Sequence, residues 1–520
     1  MNAITVKFLG GVAGDNLTGS SVLLTVRRGK ETFRCLIDAG LIQCSSREFF
    51  DKNREILNEL KPGYLDAIIL THPHLDHIGR LPLLVKNGFG QRGRIICTEA
   101  TASLLRVMLE DSAKIQAIES ESLKTKNFNG AERKNKQKNY RRDRGTRGNY
   151  DRIQSRLQKK KKTKHDNACD PLYNLEDVSA TCALVKNGGF LYKTWLKLAK
   201  GISLKFYPSG HVLGGAISVI KIETKTKTTY LGFSGDLGRQ DGIILPPPEI
   251  VEEKLDYWFS ESTYGGEVHP ERDEEIAQLL KIVARAANNK QKIIIPSFAL
   301  ERTQEIVYLL SYYMSINQIP KIPIYLDSPM ATKITEVFAK NWDAQMFEDQ
   351  SLLTFNPFSD NPFLTTIADQ ESSLALIQEP GPYIVIAGSG MCDAGRVREH
   401  LRVGLGQEKT IIFLVGYMAR NSLGRRLKDG LPIIKMNGVE IVVKAEIIGF
   451  DSFSAHADSP FLTSYAKELA TNNQLQKIFL IHGEDDGATF LKADMLEALP
   501  NNHNWLENII IPKLGQEVIL

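Results

Sequence analysis

The sequence has no run of 18 apolar residues, so no transmembrane helix is expected. Its start, Met1-Asn2-Ala3-Ile4-Thr5-Val6-Lys7-Phe8-Leu9-Gly10, lacks a basic stretch followed by an apolar one and alternates like a strand, so a secretory signal is not expected either. Cysteine is scarce. Its six positions (35, 44, 97, 169, 182 and 392) are scattered and form no CxxC pair. That argues against a disulfide framework and a thiolate zinc site, and predicts free thiols in a reducing, cytoplasmic compartment. Histidine is scarce too, at ten residues in 520, so any clustering of it carries weight. The rest of the composition, 42% hydrophobic and 24% charged, excludes a wholly disordered, collagen-like or coiled-coil chain. At about 100–200 residues per domain, the length predicts two to four structural units.

Charge is unevenly spread. Residues 123–164 hold 17 Lys or Arg against three acids (Glu132, Asp143 and Asp151), a formal +14, which leaves −10 for the rest of a chain whose total is +4. Between Phe128 and Lys164 the only aliphatic side chains beyond Ala131 are Ile153 and Leu157, too few to build a core. The segment, taken as about 123–165, reads as a phosphate-binding arm for nucleic acid, or else as a solvated insertion without a partner.

Alternation and Gly-rich turns predict strands at Ile4–Leu9, Ser21–Val26 and Phe33–Asp38, and a buried strand at Leu65–Leu70. Helices are predicted at about Ile78–Lys86 and Glu99–Ala117, with a strand at Ile95–Thr98 between them. Further strands follow at Leu204–Tyr207, Ala216–Ile222, Thr229–Phe233 and Tyr257–Phe259. From about 270, helices (Asp273–Ala287, Thr303–Met314) alternate with short apolar strands (Ile293–Ile295, Ile322–Leu326, Tyr383–Ala387, Thr410–Leu414), the pattern of a parallel α/β unit. After Gly430 strands return at Glu440–Ile448, Ile478–Ile481 and Asn508–Ile511. The reading is an α/β domain inserted into a β-rich one.

The densest chemical signal is His72-Pro73-His74-Leu75-Asp76-His77, just after a buried strand. Imidazole and carboxylate suit zinc, and iron or manganese less well. On an extended segment His72 and His74 point the same way and can chelate one ion. Asp76 and His77 then open a helix and can face a second. Three of ten histidines in six positions speak against a surface cluster without metal.

This HxHxDH pattern resembles the metallo-β-lactamase superfamily. Asp38 sits where that family has a structural aspartate. His211, in Gly210-His211-Val212-Leu213-Gly214, matches its third ligand motif, and Asp236, in Ser234-Gly235-Asp236-Leu237-Gly238, its metal-bridging aspartate. Either alone would be read as a turn residue; their order, each after a predicted strand, gives them value. The second half resembles the β-CASP subgroup of nucleases: Phe259-Ser260-Glu261-Ser262-Thr263-Tyr264-Gly265, Phe453-Ser454-Ala455-His456-Ala457-Asp458 and Ile481-His482-Gly483-Glu484 look like its motifs A, B and C. Pro296-Ser297-Phe298-Ala299, Arg302-Thr303-Gln304-Glu305, Asp327-Ser328-Pro329-Met330, Gly388-Ser389-Gly390-Met391 and Gly416-Tyr417-Met418 match further along. The pattern is that of the ribonuclease branch containing the 73-kDa subunit of cleavage and polyadenylation specificity factor and its compact prokaryotic homologues. His482 at motif C favours RNA; the DNA-repair branch typically carries Val there.

The resemblance implies an αββα metallo-β-lactamase sandwich interrupted by a parallel α/β β-CASP domain. The expected divisions are 1–264, 265–434 and 435–520. It implies two zinc ions per chain, one held by His72, His74 and His211, the other by Asp76, His77 and His482, with Asp236 and a hydroxide bridging. That hydroxide would hydrolyse single-stranded RNA in processing or decay. His456 is the expected general acid and Glu261 the residue that orients it, with Asp76 also in the catalytic set; read alone, Glu261 fits a helix cap as well. Arg302, Ser389 and Arg420 are candidates for the substrate phosphate, or turn and cap residues. A DNA nuclease, a small-molecule metallo-hydrolase and a non-catalytic scaffold are the alternatives; a two-domain cleft and a full ligand set argue against the last two. No membrane partner is expected, and an oligomer is left open.

Overall fold

The structure, a computed structural model, describes residues 2–13, 18–44, 48–140, 169–342, 355–416, 418, 421–472, 474–500 and 503–520, and the side chains of all of these except 2, 125–140 and 472. Strands β1 (Asn2–Gly10), β2 (Ser21–Arg28) and β3 (Glu31–Ile37) form an antiparallel meander, and β4 (Ala67–Ile69) and β5 (Arg94–Ile96) extend it in parallel. A second sheet begins with β6 (Leu196–Ala199), β7 (Ile202–Pro208), β8 (Ala216–Glu223), β9 (Thr228–Phe233) and β10 (Tyr257–Glu261).

The inserted unit contributes β11 (Lys292–Pro296), β12 (Ile324–Asp327), β13 (Leu364–Thr366), β14 (Tyr383–Ala387), β15 (Thr410–Val415), the hairpin of β16 (Ile433–Met436) and β17 (Val439–Val442), and β18 (Glu446–Phe450). The chain then returns. Strands β19 (Lys477–Ile481) and β20 (Ile509–Ile510) complete the second sheet, in the order β20-β19-β10-β9-β8-β7-β6, and β21 (Glu517–Ile519) edges the first beside β1.

The two outer sheets pack face to face because alternate residues of each are apolar. Val6, Phe8, Leu24 and Ile37 of the first meet Leu204, Phe206, Phe259 and Phe479 of the second in one core. Phe233, Phe259 and Phe479 stack at 4.3 and 4.7 Å between centroids, and Phe8 reaches Phe259 from the opposite sheet at 6.1 Å. Helices cover both outer faces: Leu104, Leu105 and Leu109 of helix Glu99–Tyr140 on one side, Tyr465, Leu491 and Met495 of Ser459–Asn472 and Asp485–Ala498 on the other. The inserted sheet, ordered β13-β12-β14-β11-β15-β18, is parallel throughout and reads as apolar runs, as expected of strands buried on both faces. The expected sandwich with a parallel α/β insertion is the observed fold.

Three expected elements need correction. The strand expected at Glu440–Ile448 is two strands in different sheets. The chain turns at 443–445, where the Lys444 and Ala445 N–H groups both donate to the Leu405 carbonyl, at 2.7 and 3.1 Å. Strand β18 pairs with β15, in the sheet of the inserted unit. The helix expected at Ile78–Lys86 is two short helices, Leu75–Ile78 and Leu81–Lys86, broken at Gly79-Arg80 ahead of Pro82. The helix from Glu99 continues to Tyr140, into the basic segment, where Ala131, Glu132, Arg133, Lys134, Lys136, Gln137 and Lys138 are good helix formers. The rest of that segment lies outside the described residues. Among the described residues no helix is long and apolar enough to cross a membrane.

Candidate metal centre and its acid–base pair

The chemistry-bearing residues gather where the strands of the two outer sheets end. His72 follows β4, and His74 precedes the four-residue helix carrying Asp76 and His77. His211 lies between β7 and β8, Asp236 after β9, Glu261 at the end of β10 and His482 after β19. Two glycines make the convergence possible. A Cβ on Gly40 would lie 1.5 Å from the Asp76 carbonyl oxygen, and one on Gly238 would lie 2.0 Å from that of Gly210. Only bare backbone lets these turns close around the centre. Asp38 and His482 hold left-handed φ of 59° and 51°, uncommon for side chains with a Cβ.

Four ligand atoms meet in a first group: His72 Nε2, His74 Nδ1, His211 Nε2 and Asp236 Oδ2. His72 to His74 is 3.1 Å, His211 to His74 3.3 Å, and Asp236 Oδ2 is 3.3 Å from His72 and 3.6 Å from His211. A second group holds Asp76, His77 and His482. His77 Nε2 is 3.2 Å from His482 Nε2, which is 3.3 Å from Asp76 Oδ2. Asp236 spans the two, its Oδ1 lying 3.3 Å from His77 Nε2. The seven candidate ligand residues are therefore together, in a group of four that includes Asp236 and a group of three.

The spacing fits a metal. Four ligands about 2.0–2.1 Å from a tetrahedral zinc lie about 3.3 Å from one another. Asp236 Oδ1 is buried with no hydrogen bond, the His77 and His482 ring nitrogens standing 3.3 and 3.4 Å away, an arrangement that a bound cation would satisfy. The histidines are also held from behind. Thr71 Oγ1 lies 3.1 Å from His72 Nδ1, Asp38 Oδ2 2.7 Å from His77 Nδ1, the Ala455 carbonyl 3.2 Å from His211 Nδ1 and Thr263 Oγ1 3.3 Å from His482 Nδ1. Such outer partners fix the ring so that its other nitrogen faces inward, as in metal-ligating histidines.

Electrostatics separate the two groups. Burial pushes His72 and His211 down and His74 to about 3, so these rings are neutral and their lone pairs available. Burial would also lower His77 and His482, but the Asp236 carboxylate outweighs it and both are raised. Asp76 and Asp236 fall below the usual carboxylate range: the facing histidines overcome a burial that alone would raise them. Neutral imidazoles beside ionised carboxylates are the protonation states in which such side chains bind a metal ion.

Glu261 and His456 sit beside these ligands. Glu261 is fully buried and its two oxygens lie 3.3 and 3.2 Å from His456 Nδ1; the Leu237 N–H donates to Oε1 at 2.6 Å. The ring of His456 lies 4.4 Å from His211 and 6.4 Å from His482, and its side chain is one-fifth exposed. Burial would lower its pKa, but the Glu261 charge and hydrogen bond raise it to about 9. At neutral pH His456 is an imidazolium oriented by a carboxylate, able to donate from Nε2.

The phosphate candidates fare differently. Arg302 is buried, 5% exposed, and its Nη1 pairs with Glu305 at the start of helix Arg302–Ser315. That partner lies one helical turn away, which a sequence motif does not reveal. Ser389 is half-buried in the loop after β14, its Oγ accepting from the Ala394 N–H at 3.2 Å. Arg420 lies outside the described residues. Sequence reasoning gave no role to Thr71, Thr263, His269 or Glu301. His269 Nε2 lies 3.0 Å from the His456 carbonyl. For Thr71 and Thr263, adjacency to ligand and motif residues was the available signal; for the other two there was none.

Three family models match: a Metallo-beta-lactamase superfamily domain over residues 29–231, a Beta-Casp domain over 303–427 and a Zn-dependent metallo-hydrolase RNA specificity domain over 440–506. The chain is 29% identical over 480 residues to Ribonuclease TTHA0252 of Thermus thermophilus, covering 91% of this chain and 92% of that one. It is 28% identical over 504 residues to Transcription termination factor FttA of Methanocaldococcus jannaschii, covering 93% and 67%. To Cleavage and polyadenylation specificity factor 73 of Drosophila melanogaster it is 25% identical over 492 residues, covering 94% of this chain and 61% of that one.

Proposed function

The chain belongs to the β-CASP branch of the metallo-β-lactamase superfamily, and from that premise we propose that it is a zinc-dependent ribonuclease hydrolysing phosphodiester bonds of single-stranded RNA. The observation that carries the reading is the convergence of seven ligand atoms at tetrahedral ligand spacing beside a Glu261–His456 pair. His72, His74 and His211 would hold one zinc, Asp76, His77 and His482 a second, and Asp236 would face both. Bound there, the metals supply Lewis-acid charge for the phosphate oxygens and a nucleophile from water near neutral pH.

The chain's own residues do the rest. Asp38, Thr71, Thr263 and the Ala455 carbonyl keep the ligand rings in register. Glu261 holds the His456 ring by Nδ1 and stabilises its protonated form. His456 then gives the Nε2 proton to the departing ribose 3′-oxygen, which leaves poorly as an alkoxide. The basic segment 123–165 would contact RNA phosphates, within or outside a ribosome, and six free cysteines accord with a cytoplasmic setting. RNA is favoured over DNA by His482 and by the RNA specificity match over 440–506.

The test incubates purified protein with 5′- and 3′-labelled single-stranded RNA, matched DNA and a thioester, with and without a chelator. RNA products that vanish on chelation are expected. Release from the thioester alone, or chelator-insensitive cleavage, would overturn the reading.

A further inference from the structure

Glu301 stands out in the inserted domain. Its φ of 69° and ψ of −62° are those of the tight γ-turn, rare and strained for a residue with a Cβ. The Arg302 N–H donates to the Leu300 carbonyl at 3.0 Å and closes that three-residue turn. Glycine would hold this backbone more easily. The side chain is nevertheless a carboxyl, 2% exposed, carried out of the insertion and into the first domain. There the Leu213 N–H donates to its Oε2 at 3.0 Å, while Oε1 is buried with no hydrogen-bond partner.

Leu213 lies two residues after His211, in the loop between β7 and β8. The same loop is gripped from the first domain by Thr98 Oγ1 and Thr101 Oγ1, which donate to the Gly214 carbonyl at 2.7 and 2.9 Å. The Ala216 N–H ties it to the Thr71 carbonyl, beside His72, at 2.8 Å. Glu301 thus adds a hold from the inserted domain on a loop that presents a metal ligand. Strain kept beside a functional group is accounted for when the side chain it delivers does something glycine cannot.

We propose that Glu301 is a positioning residue that latches the inserted domain onto the His211 loop and sets how tightly the His72–His74–His211–Asp236 group holds its metal. The proposal rests on the metal reading above. Burial and the neighbouring Glu305 push the carboxyl well above the usual range, and glutamine keeps an oxygen at the same reach for the Leu213 N–H.

The experiment compares the full chain with Glu301→Gly and Glu301→Gln. Zinc affinity is read by competition with a chromophoric chelator, and kcat and KM are read on labelled RNA. Glycine relaxes the turn but removes the latch, so one of the two zinc equivalents should weaken by about 10–100-fold, the usual effect of losing an outer partner. Glutamine keeps an oxygen for Leu213 and should restore the affinity. If Glu301→Gly does not fold, Glu301→Asp, one methylene too short to reach, takes its place with the same weakening expected. Wild-type affinity for both zincs and unchanged kcat and KM in the glycine or aspartate variant would overturn the latch and leave the nuclease reading standing. A wild-type chain that binds no zinc would overturn both.

Discussion

Two buried His–Asp pairs lie in different domains of this molecule. In the inserted domain His400 Nε2 meets Asp327 Oδ2 at 2.7 Å; in the first, His77 Nδ1 meets Asp38 Oδ2 at the same distance. Their surroundings differ. Asp327, at the end of β12, also accepts from Ser373 Oγ at 2.5 Å and Arg396 Nη1 at 2.8 Å, so its oxygens are used within the protein and the network closes. Behind Asp38 the network stays open: the far nitrogen of His77 faces His482 and the unpartnered oxygen of Asp236. A buried His–Asp pair is therefore no sign of a metal. What marks a metal site is lone pairs facing lone pairs, with only a cation able to satisfy them all.

The sharpest way to break this contrast is to remove a ligand from the open network. Asp76→Ala should lose zinc and RNA cleavage together, with metal analysis and single-turnover kinetics as the measurements; full activity without the metal would erase the difference between the two regions. Next comes the residue beside the ligands. His456→Ala should slow cleavage by about 10²–10⁴-fold while the zinc content stays at the wild-type value, because the imidazole supplies a proton and no ligand bond. Loss of zinc in that variant would make His456 part of the metal network instead.

The closed network predicts a structural effect. Asp327→Asn should destabilise the chain by about 3–5 kcal/mol, since His400 and Arg396 lose a buried charged partner, with zinc content unchanged in the folded protein. Burial alone would raise the Asp327 pKa, but the hydrogen bonds from His400, Ser373 and Arg396 lower it. A depressed carboxyl stabilises the fold above its unfolded pKa, and that stability is lost as pH falls through the folded value. The variant's unfolding midpoint should therefore depend less on pH on the acid side than the wild type's. An equal acid slope in both would remove Asp327 from the account.

The smallest effect on chemistry should come from the basic segment. Lys124 Nζ pairs with Asp170 at 2.5 Å and the Leu172 N–H donates to Gln116 Oε1 at 3.1 Å, so its two ends are already pinned together. Deleting Lys126–Lys164 and joining the ends with a short Gly/Ser linker should leave zinc content and cleavage at saturating RNA nearly unchanged. RNA binding should weaken, and the slope of log K against log salt should become shallower by about 0.7 per lost phosphate contact. An unchanged slope would reduce the segment to a solvated insertion.

The ligand set was legible in the sequence because a metal demands particular atoms. Without clustered thiols, imidazole and carboxylate are the side chains left to supply them, so HxHxDH, His211, Asp236 and His482 are visible as residue types in order. The strands around them were legible because one-sided burial imposes alternation, as at Ser21–Arg28 and Ala216–Glu223. Where a strand goes after it forms is not encoded in its own period. Val439–Val442 and Glu446–Phe450 read as one strand and lie in two sheets.

By itself, then, the sequence determined the candidate ligand residues and a parallel α/β unit inserted into a β-rich one, since these follow from residue type and local periodicity; the sandwich was implied by the family resemblance. Only the tertiary structure decided which charges remain available. Arg302, a phosphate candidate by motif, is buried against Glu305, while Glu301 beside it reaches a ligand loop 88 residues earlier in the chain. Both outcomes depend on what packs against a side chain from a distant element. Desolvation and pairing are set by those neighbours in space, and no local pattern of residues records them.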